Sequence, residues 1–185
     1  MTARGTRGAC GAALVCAGAA VGADAAGVRI NWTDSIPRGF YRTSAEAVAR
    51  GSLVLACVPR AAAEFGRTRG YLVGGDCAGG VAPVGKPVAA VAGDTVDVSA
   101  AGVRVNGRLL PNSVPLTRDA GGRGLPAAHP RRAVVAAGEL WLVSSWNPRS
   151  YDARYWGPVP RRAVRAVIRP WWVERASPET QRPDL

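Results

Sequence analysis

The chain carries 24 basic residues, and only one of them, Lys86, is a lysine. A guanidinium keeps its proton in any protein setting, whereas a desolvated ammonium gives its proton up near neutral pH. One amine among so many arginines marks a place where a neutral base could be needed. Lys86 leads an apolar run, Lys86-Pro87-Val88-Ala89-Ala90-Val91, whose burial would lower its pKa. A serine to partner it stands at Ser35, where Pro37 and Gly39 exclude a regular helix and leave an extended or turning backbone. Serine hydroxyls need a base to become nucleophiles, and the usual base is histidine. The only histidine is His129, set in a Pro- and Arg-rich stretch, and there is no Gly-x-Ser-x-Gly elbow. The residues therefore favour a Ser-Lys dyad over a histidine triad. The plainer alternative is coding bias, with Lys86 a solvated leftover, Ser35 a turn serine, Asp152 a turn cap and Arg154 a surface cation.

The elements that must position these residues read as short strands. Ser52 to Val58 is an apolar run between Gly51 and Pro59, the pattern of a buried strand. Ala61 to Arg69 suits a brief helix, and the glycine-rich Gly74 to Gly85 reads as loop. Lys86 to Asp94 reads as a strand ending in a tight Gly93-Asp94 turn. Thr95 to Val98 alternates as a strand, and Val103 to Leu110 reads as a hairpin turning at Asn106-Gly107. Residues 111–133 lack periodicity and read as a surface excursion. Glu139 to Ser144 is a further strand, Ser145 to Arg154 a polar turn, and Arg165 to Trp172 the last strand. No internal repeat is visible.

Composition bounds the function. At 185 residues, with 23 glycines and 14 prolines, the chain suits one turn-rich β domain with a short appendage. The net charge of +11 raises nucleic-acid binding, but the arginines are scattered and not interleaved with aromatics as a base-stacking platform requires. Attraction to an anionic membrane surface accounts for the charge more simply. Four cysteines and one histidine give no zinc-ligand spacing. Cys57 and Cys77 could form a disulfide if the body lies outside the cytoplasm, or stand as small buried residues if it does not. Cys10 and Cys16 lie in an Ala/Gly-rich N-terminal stretch behind Arg4 and Arg7. With the residues beyond Asp24, that stretch approaches the roughly 20 residues of a membrane helix. Its flanking arginines favour an extracytoplasmic body. A cleaved signal peptide ending at Ala23-Asp24-Ala25, or a leader to a soluble domain, are the rival readings.

Three segments together carry a resemblance. Ser35-Ile36-Pro37-Arg38-Gly39, Lys86 through Asp94, and Ser150-Tyr151-Asp152-Ala153-Arg154-Tyr155-Trp156-Gly157-Pro158-Val159 resemble the boxes of type I signal peptidases, in the family's order. Within that superfamily the chain looks most like the conjugative-transfer signal peptidases, which mature the pilin subunits of mating-pair systems. That choice rests on the segment from Asn31 to Tyr41, the compact length and Gly75-Asp76-Cys77. The resemblance implies a mainly β fold of coiled antiparallel sheets with an N-terminal apolar anchor helix. It divides the chain into an anchor or signal segment (1–28), a peptidase domain (29–173) and a polar tail (174–185).

By the same resemblance, Ser35 is the nucleophile and Lys86 the general base. Thr33 joins the Ser35 backbone N–H in the oxyanion hole, Ser150 orients the lysine, and Asp152 and Arg154 form a supporting ion pair. It implies cleavage after small residues in exported, pilin-like precursors at the periplasmic side of the cytoplasmic membrane, with membrane lipids as neighbours. No cofactor, metal or nucleic acid is implied. Three departures stand out: Ile36 replaces the usual Met, Pro87 replaces the usual Arg, and the stretch Ser145 to Ser150 is short. A housekeeping leader peptidase and a non-catalytic basic envelope protein are the alternatives. A self-cleaving DNA-binding regulator would need a helical domain before Ser35, for which the preceding 34 residues leave no room.

Overall fold

A computed structural model of the chain describes residues 27–126 and 131–175. The expected anchor segment up to residue 26, Cys10, Cys16, His129 and the tail from residue 176 lie outside the described residues.

The described residues form two antiparallel sheets. The larger has seven strands in the order β1 (Val28–Asn31), β2 (Gly39–Ser44), β12 (Val164–Val173), β3 (Leu53–Ala56), β5 (Val84–Val91), β10 (Glu139–Leu142), β11 (Val159–Pro160). The smaller runs β8 (Arg108–Leu109), β7 (Gly102–Val105), β6 (Thr95–Ser99), β9 (Arg131–Val134). Register shifts between Pro170 and Trp172, between Val164 and Ala166, and between Trp141 and Leu142 interrupt the larger sheet. Such irregularities bend strands and let a sheet coil. The mainly β, curled antiparallel architecture matches the expected fold class. The Asn106-Gly107 hairpin forms as read, with both residues at positive φ (52° and 82°), the conformation that an Asn-Gly turn accepts at little cost.

Strand β5 sets the geometry of the interior. Its exposure alternates, so that Lys86, Val88 and Ala90 all face inward while Pro87, Ala89 and Val91 are half-buried. A period-two strand thus places the lysine where a hydrophobic residue would normally sit. Beside it, β3 pairs Val54 directly with Lys86, and Val54 is fully buried. Val54 and Val88 belong to one apolar cluster with Leu140, Leu142 and Val159. Val91, read as a neighbour of the lysine, is half-buried and packs against this same cluster.

Three expectations need correction. The glycine-rich stretch 74–85 is not all loop: β4 (Gly74–Cys77) folds back through bridges to Val81, and β5 already begins at Val84. Glycine's freedom at Gly79 and Gly80 (φ 83° and 71°) makes that tight return, which composition alone reads as disorder of pattern. Ser145 to Arg154 is not a simple polar turn, because its end enters a short helix α2 (Ala153–Trp156), capped by the Asp152 side chain on the Arg154 N–H. The excursion 111–133 yields at its end to β9. The strands β1 and β2, flanking Ser35, lacked an apolar run to announce them. The other helix, α1 (Arg60–Thr68), lies close to its expected bounds and buries Ala62, Ala63 and Gly66.

Candidate active site

Ser35 sits on a turn between β1 and β2, outside any strand ladder. Its three consecutive carbonyls are held by side chains instead of backbone. The Ser144 hydroxyl donates to the Ser35 carbonyl (2.5 Å), and Asn31 Nδ2 donates to those of Ile36 and Pro37 (both 3.0 Å). Tyr41 Oη also donates to Pro37 (2.6 Å), and burial pushes the Tyr41 phenol up to about 12, so it stays a donor. Ile36 is buried with Tyr41 and Ile168, which pins the turn to the sheet. Gly85 lies beneath it, where an added Cβ would come within 2.9 Å of Ile36 Cδ1.

Across from this turn, Lys86 Nζ donates hydrogen bonds to Ser35 Oγ and, at 2.7 Å, to Ser150 Oγ. The two serine hydroxyls are themselves 3.4 Å apart. Lys86 is 3% exposed. Burial pushes its ammonium down to about 8; the negative charge of Asp152 opposes the shift and the positive charge of Arg154 adds to it. A buried cation without its own carboxylate partner is poised to release its proton.

Asp152 and Arg154 are fully buried and joined by two parallel bonds, Nε to Oδ1 (2.8 Å) and Nη2 to Oδ2 (2.9 Å). Arg154 also donates to the carbonyls of Asn112, Val114, Pro148 and Ser150 (2.8–3.2 Å). One guanidinium thereby fastens the loop that carries Ser150 and the start of the 111–126 excursion. Such a pair contributes little net stability, but breaking it leaves a costly unpaired charge. Thr33 is exposed, and its hydroxyl donates to Asn31 Oδ1 (2.7 Å), so facing a substrate oxygen requires that hydroxyl to turn.

Cys57 and Cys77 form a disulfide with Cα atoms 5.5 Å apart, tying the end of β3 to β4. Among the described residues no cluster of three metal-ligating side chains occurs. The serines and lysine open into a cleft of about 500 Å³ whose wall includes Ile30, Leu55 and Leu72, with Leu116 and Asp119 from the excursion.

The structure brings Ser35, Lys86, Ser150, Asp152 and Arg154 together around one point and places Thr33 at the cleft's edge. Sequence reasoning gave no role to Ser144, Asn31 or Tyr41. The signal for Ser144 was present as the one hydroxyl ending the apolar run Glu139 to Ser144.

The chain is similar to known proteins of one family. The family model described as signal peptidase, peptidase S26 matches residues 9–172. The plasmid transfer protein TraF of Escherichia coli is 42% identical over 152 residues, covering 82% of this chain and 85% of that protein. A second E. coli protein of that name is 42% identical over 161 residues (86% and 89%). The conjugal transfer protein TraF of Agrobacterium tumefaciens (strain 15955) is 40% identical over 163 residues (86% and 90%). A crystal structure of a signal peptidase I from Enterococcus faecalis V583 aligns with 67% of this chain and 98% of that one, at 18% identity and a TM-score of 0.39. That likeness is too distant to add to the fold described above.

Proposed function

The chain belongs to the signal peptidase family, peptidase S26, and from that premise we propose that it is a Ser-Lys endopeptidase that removes leader sequences from exported proteins. The observation that carries the proposal is the Lys86 amine, buried in an apolar strand and hydrogen-bonded to both Ser35 and Ser150.

In this reading neutral Lys86 takes the Ser35 proton as Oγ attacks the scissile carbonyl. The resulting ammonium then protonates the leaving amine, and water hydrolyses the acyl ester with Lys86 again as base. The Ser35 N–H and the Thr33 hydroxyl stabilise the oxyanion, a contribution of roughly 3–4 kcal/mol per donor in other hydrolases. Ser150 orients the amine, and Asp152 with Arg154 holds the loop that carries Ser150.

Substrate would bind as an added strand. Val88 exchanges bonds with Ser52 and Gly51 on the β3 side, so by alternation residues 85 and 87 present their polar groups at the opposite edge. β10 pairs with β5 only from Val88 onward, which leaves that edge open beside Lys86. Pro87 lacks an N–H, so Gly85 supplies the donor there and Pro87 only a carbonyl. Small residues before the scissile bond (Ala-x-Ala-like) suit a cleft narrowed by Ile36 and Leu55.

The names of the relatives, plasmid and conjugal transfer proteins, favour a role in a conjugative transfer system over a housekeeping one, and we take pilin-like precursors as the substrate class. Membrane association of the peptidase domain is supported by Trp32, Trp171 and Trp172, which are 69%, 55% and 73% exposed. Trp172 pairs with Phe40 on β2, on the chain that leads from the Ser35 turn. We place residues 1–28 as anchor or signal segment, 29–173 as the peptidase domain facing the periplasm, and 174–185 as tail. No helix among the described residues is long and apolar enough to cross a membrane.

Co-expression with a pilin-like precursor from a conjugation cluster tests the proposal. The Ser35→Ala chain should leave the precursor uncleaved, and processing at the wild-type rate would refute the nucleophile assignment.

A further inference from the structure

Ser144 is fully buried, is not part of the cleft wall, and bonds Ser35, Trp146 and Asp152 and not Lys86. Its hydroxyl nevertheless donates to the carbonyl of the nucleophile residue itself, Ser35, at 2.5 Å. The same oxygen accepts from the Trp146 N–H (3.1 Å), which leaves its proton directed at Ser35. The Ser144 N–H in turn donates to Asp152 Oδ2 (3.0 Å), the carboxylate locked to Arg154. A continuous chain therefore runs from Arg154 through Asp152 and Ser144 to the Ser35 peptide.

We propose that Ser144 is a positioning residue that holds the Ser35 turn in register with Lys86. The inference rests on Ser35 and Lys86 being the catalytic pair. The Ser35 carbonyl belongs to the peptide that follows the nucleophile, and fixing it fixes the rotation of that residue's backbone. No strand ladder does this, because the turn lies outside the sheets. Asn31 and Tyr41 hold the next two carbonyls, but both belong to the strands flanking the turn and move with it. Ser144 references the backbone of the turn to the loop carrying Ser150, whose own hydroxyl meets the turn only at the Ser35 side chain. The buried Asp152 carboxylate thus serves both halves of the dyad: its charge faces Lys86, and its hydrogen bond to Ser144 places Ser35.

Losing the hydroxyl would loosen the approach of Oγ to Nζ without altering the cleft. Ångström-scale misplacement of a reacting group costs up to about 100-fold in rate. The test uses full-length protein and an internally quenched peptide with Ala-x-Ala before the scissile bond. Ser144→Ala should lower kcat by roughly 10- to 100-fold, leave KM within about twofold, and leave the pH at which activity rises unchanged, since Lys86 keeps its partners. Ser150→Ala, which removes a Lys86 partner, should instead move the pH profile. Ser144→Cys, nearly isosteric with a weak donor, should fall between Ser144→Ala and wild type. It also decides the matter if Ser144→Ala does not fold. Wild-type kcat in either folded variant, or a loss confined to KM, overturns the proposal. If Ser35→Ala and Lys86→Ala also cleave the peptide, the dyad itself has failed; if only they are inactive, the failure is that of Ser144 alone.

Discussion

A lysine at a core-facing strand position, opposite Val54, is a destabilising choice, and the proposed role as a neutral amine accounts for it. With its pKa lowered to about 8, activity should follow the neutral fraction. We expect kcat/KM to climb about tenfold per pH unit below pH 8 and to level above it; a flat profile from pH 6 to 9 would contradict the assignment of Lys86 as base. Stability also rises with pH, but in a higher window. The folded pKa lies below the ordinary lysine value of 10.5, so between about pH 8 and 10.5 the unfolded chain binds the extra proton and stability rises with pH. Below pH 8 both states are protonated and the burial penalty is felt in full. Lys86→Met should therefore be inactive yet more stable at pH 7, by up to about 3 kcal/mol, with the gain shrinking as pH passes from 8 to 10.5. Denaturant titrations at pH 7 and pH 10 measure this directly. At this scale Ser35 and Lys86 were legible because residue type and setting announce them. Ser144 was not, because its role is a contact between segments 109 positions apart in the chain.

Elements with an apolar or alternating run, such as β3, β5 and β6, were legible from period and punctuation. Those built on other forces were not. β1 and β2 form by pairing with each other and with β12, and β4 is a return of glycine-rich chain closed by the Cys57–Cys77 bond. Residue type alone leaves Asp152 a turn cap and Arg154 a surface cation, and only the resemblance pairs them; they lie at zero exposure because each satisfies the other and Arg154 also bonds the surrounding carbonyls. The disulfide spans a sequence separation of 20 and joins the strand beside Lys86 to that glycine-rich return. Cross-links closing loops of this size stabilise by about 3 kcal/mol. The double variant Cys57→Ala/Cys77→Ala should lose about that much in equilibrium unfolding, and unchanged stability would show that β4 needs no tether.

For the molecule as a whole, a net charge of +11 and exposed tryptophans support the proposed membrane association. Arg42 lies over the Trp171 ring at 3.9 Å, combining a cation with an apolar face at the same spot. Indole rings favour the membrane–water interface, and arginines favour anionic headgroups. Full-length protein carrying Trp171→Ala and Trp172→Ala should bind anionic vesicles about tenfold more weakly than wild type in co-sedimentation, and unchanged partitioning would remove this face from the account. Composition disclosed the charge but not its placement, which depends on β12 carrying both tryptophans alongside β2. The cleft, the buried amine and the family membership meet in one claim, that a neutral Lys86 activates Ser35. The most direct measurement is the rate of precursor cleavage by purified full-length Lys86→Arg, with a thermal melt to establish folding. The charge is kept and the base is lost, so the account predicts no cleavage, as for Lys86→Ala; a folded Lys86→Arg protein that cleaves at the wild-type rate would contradict it.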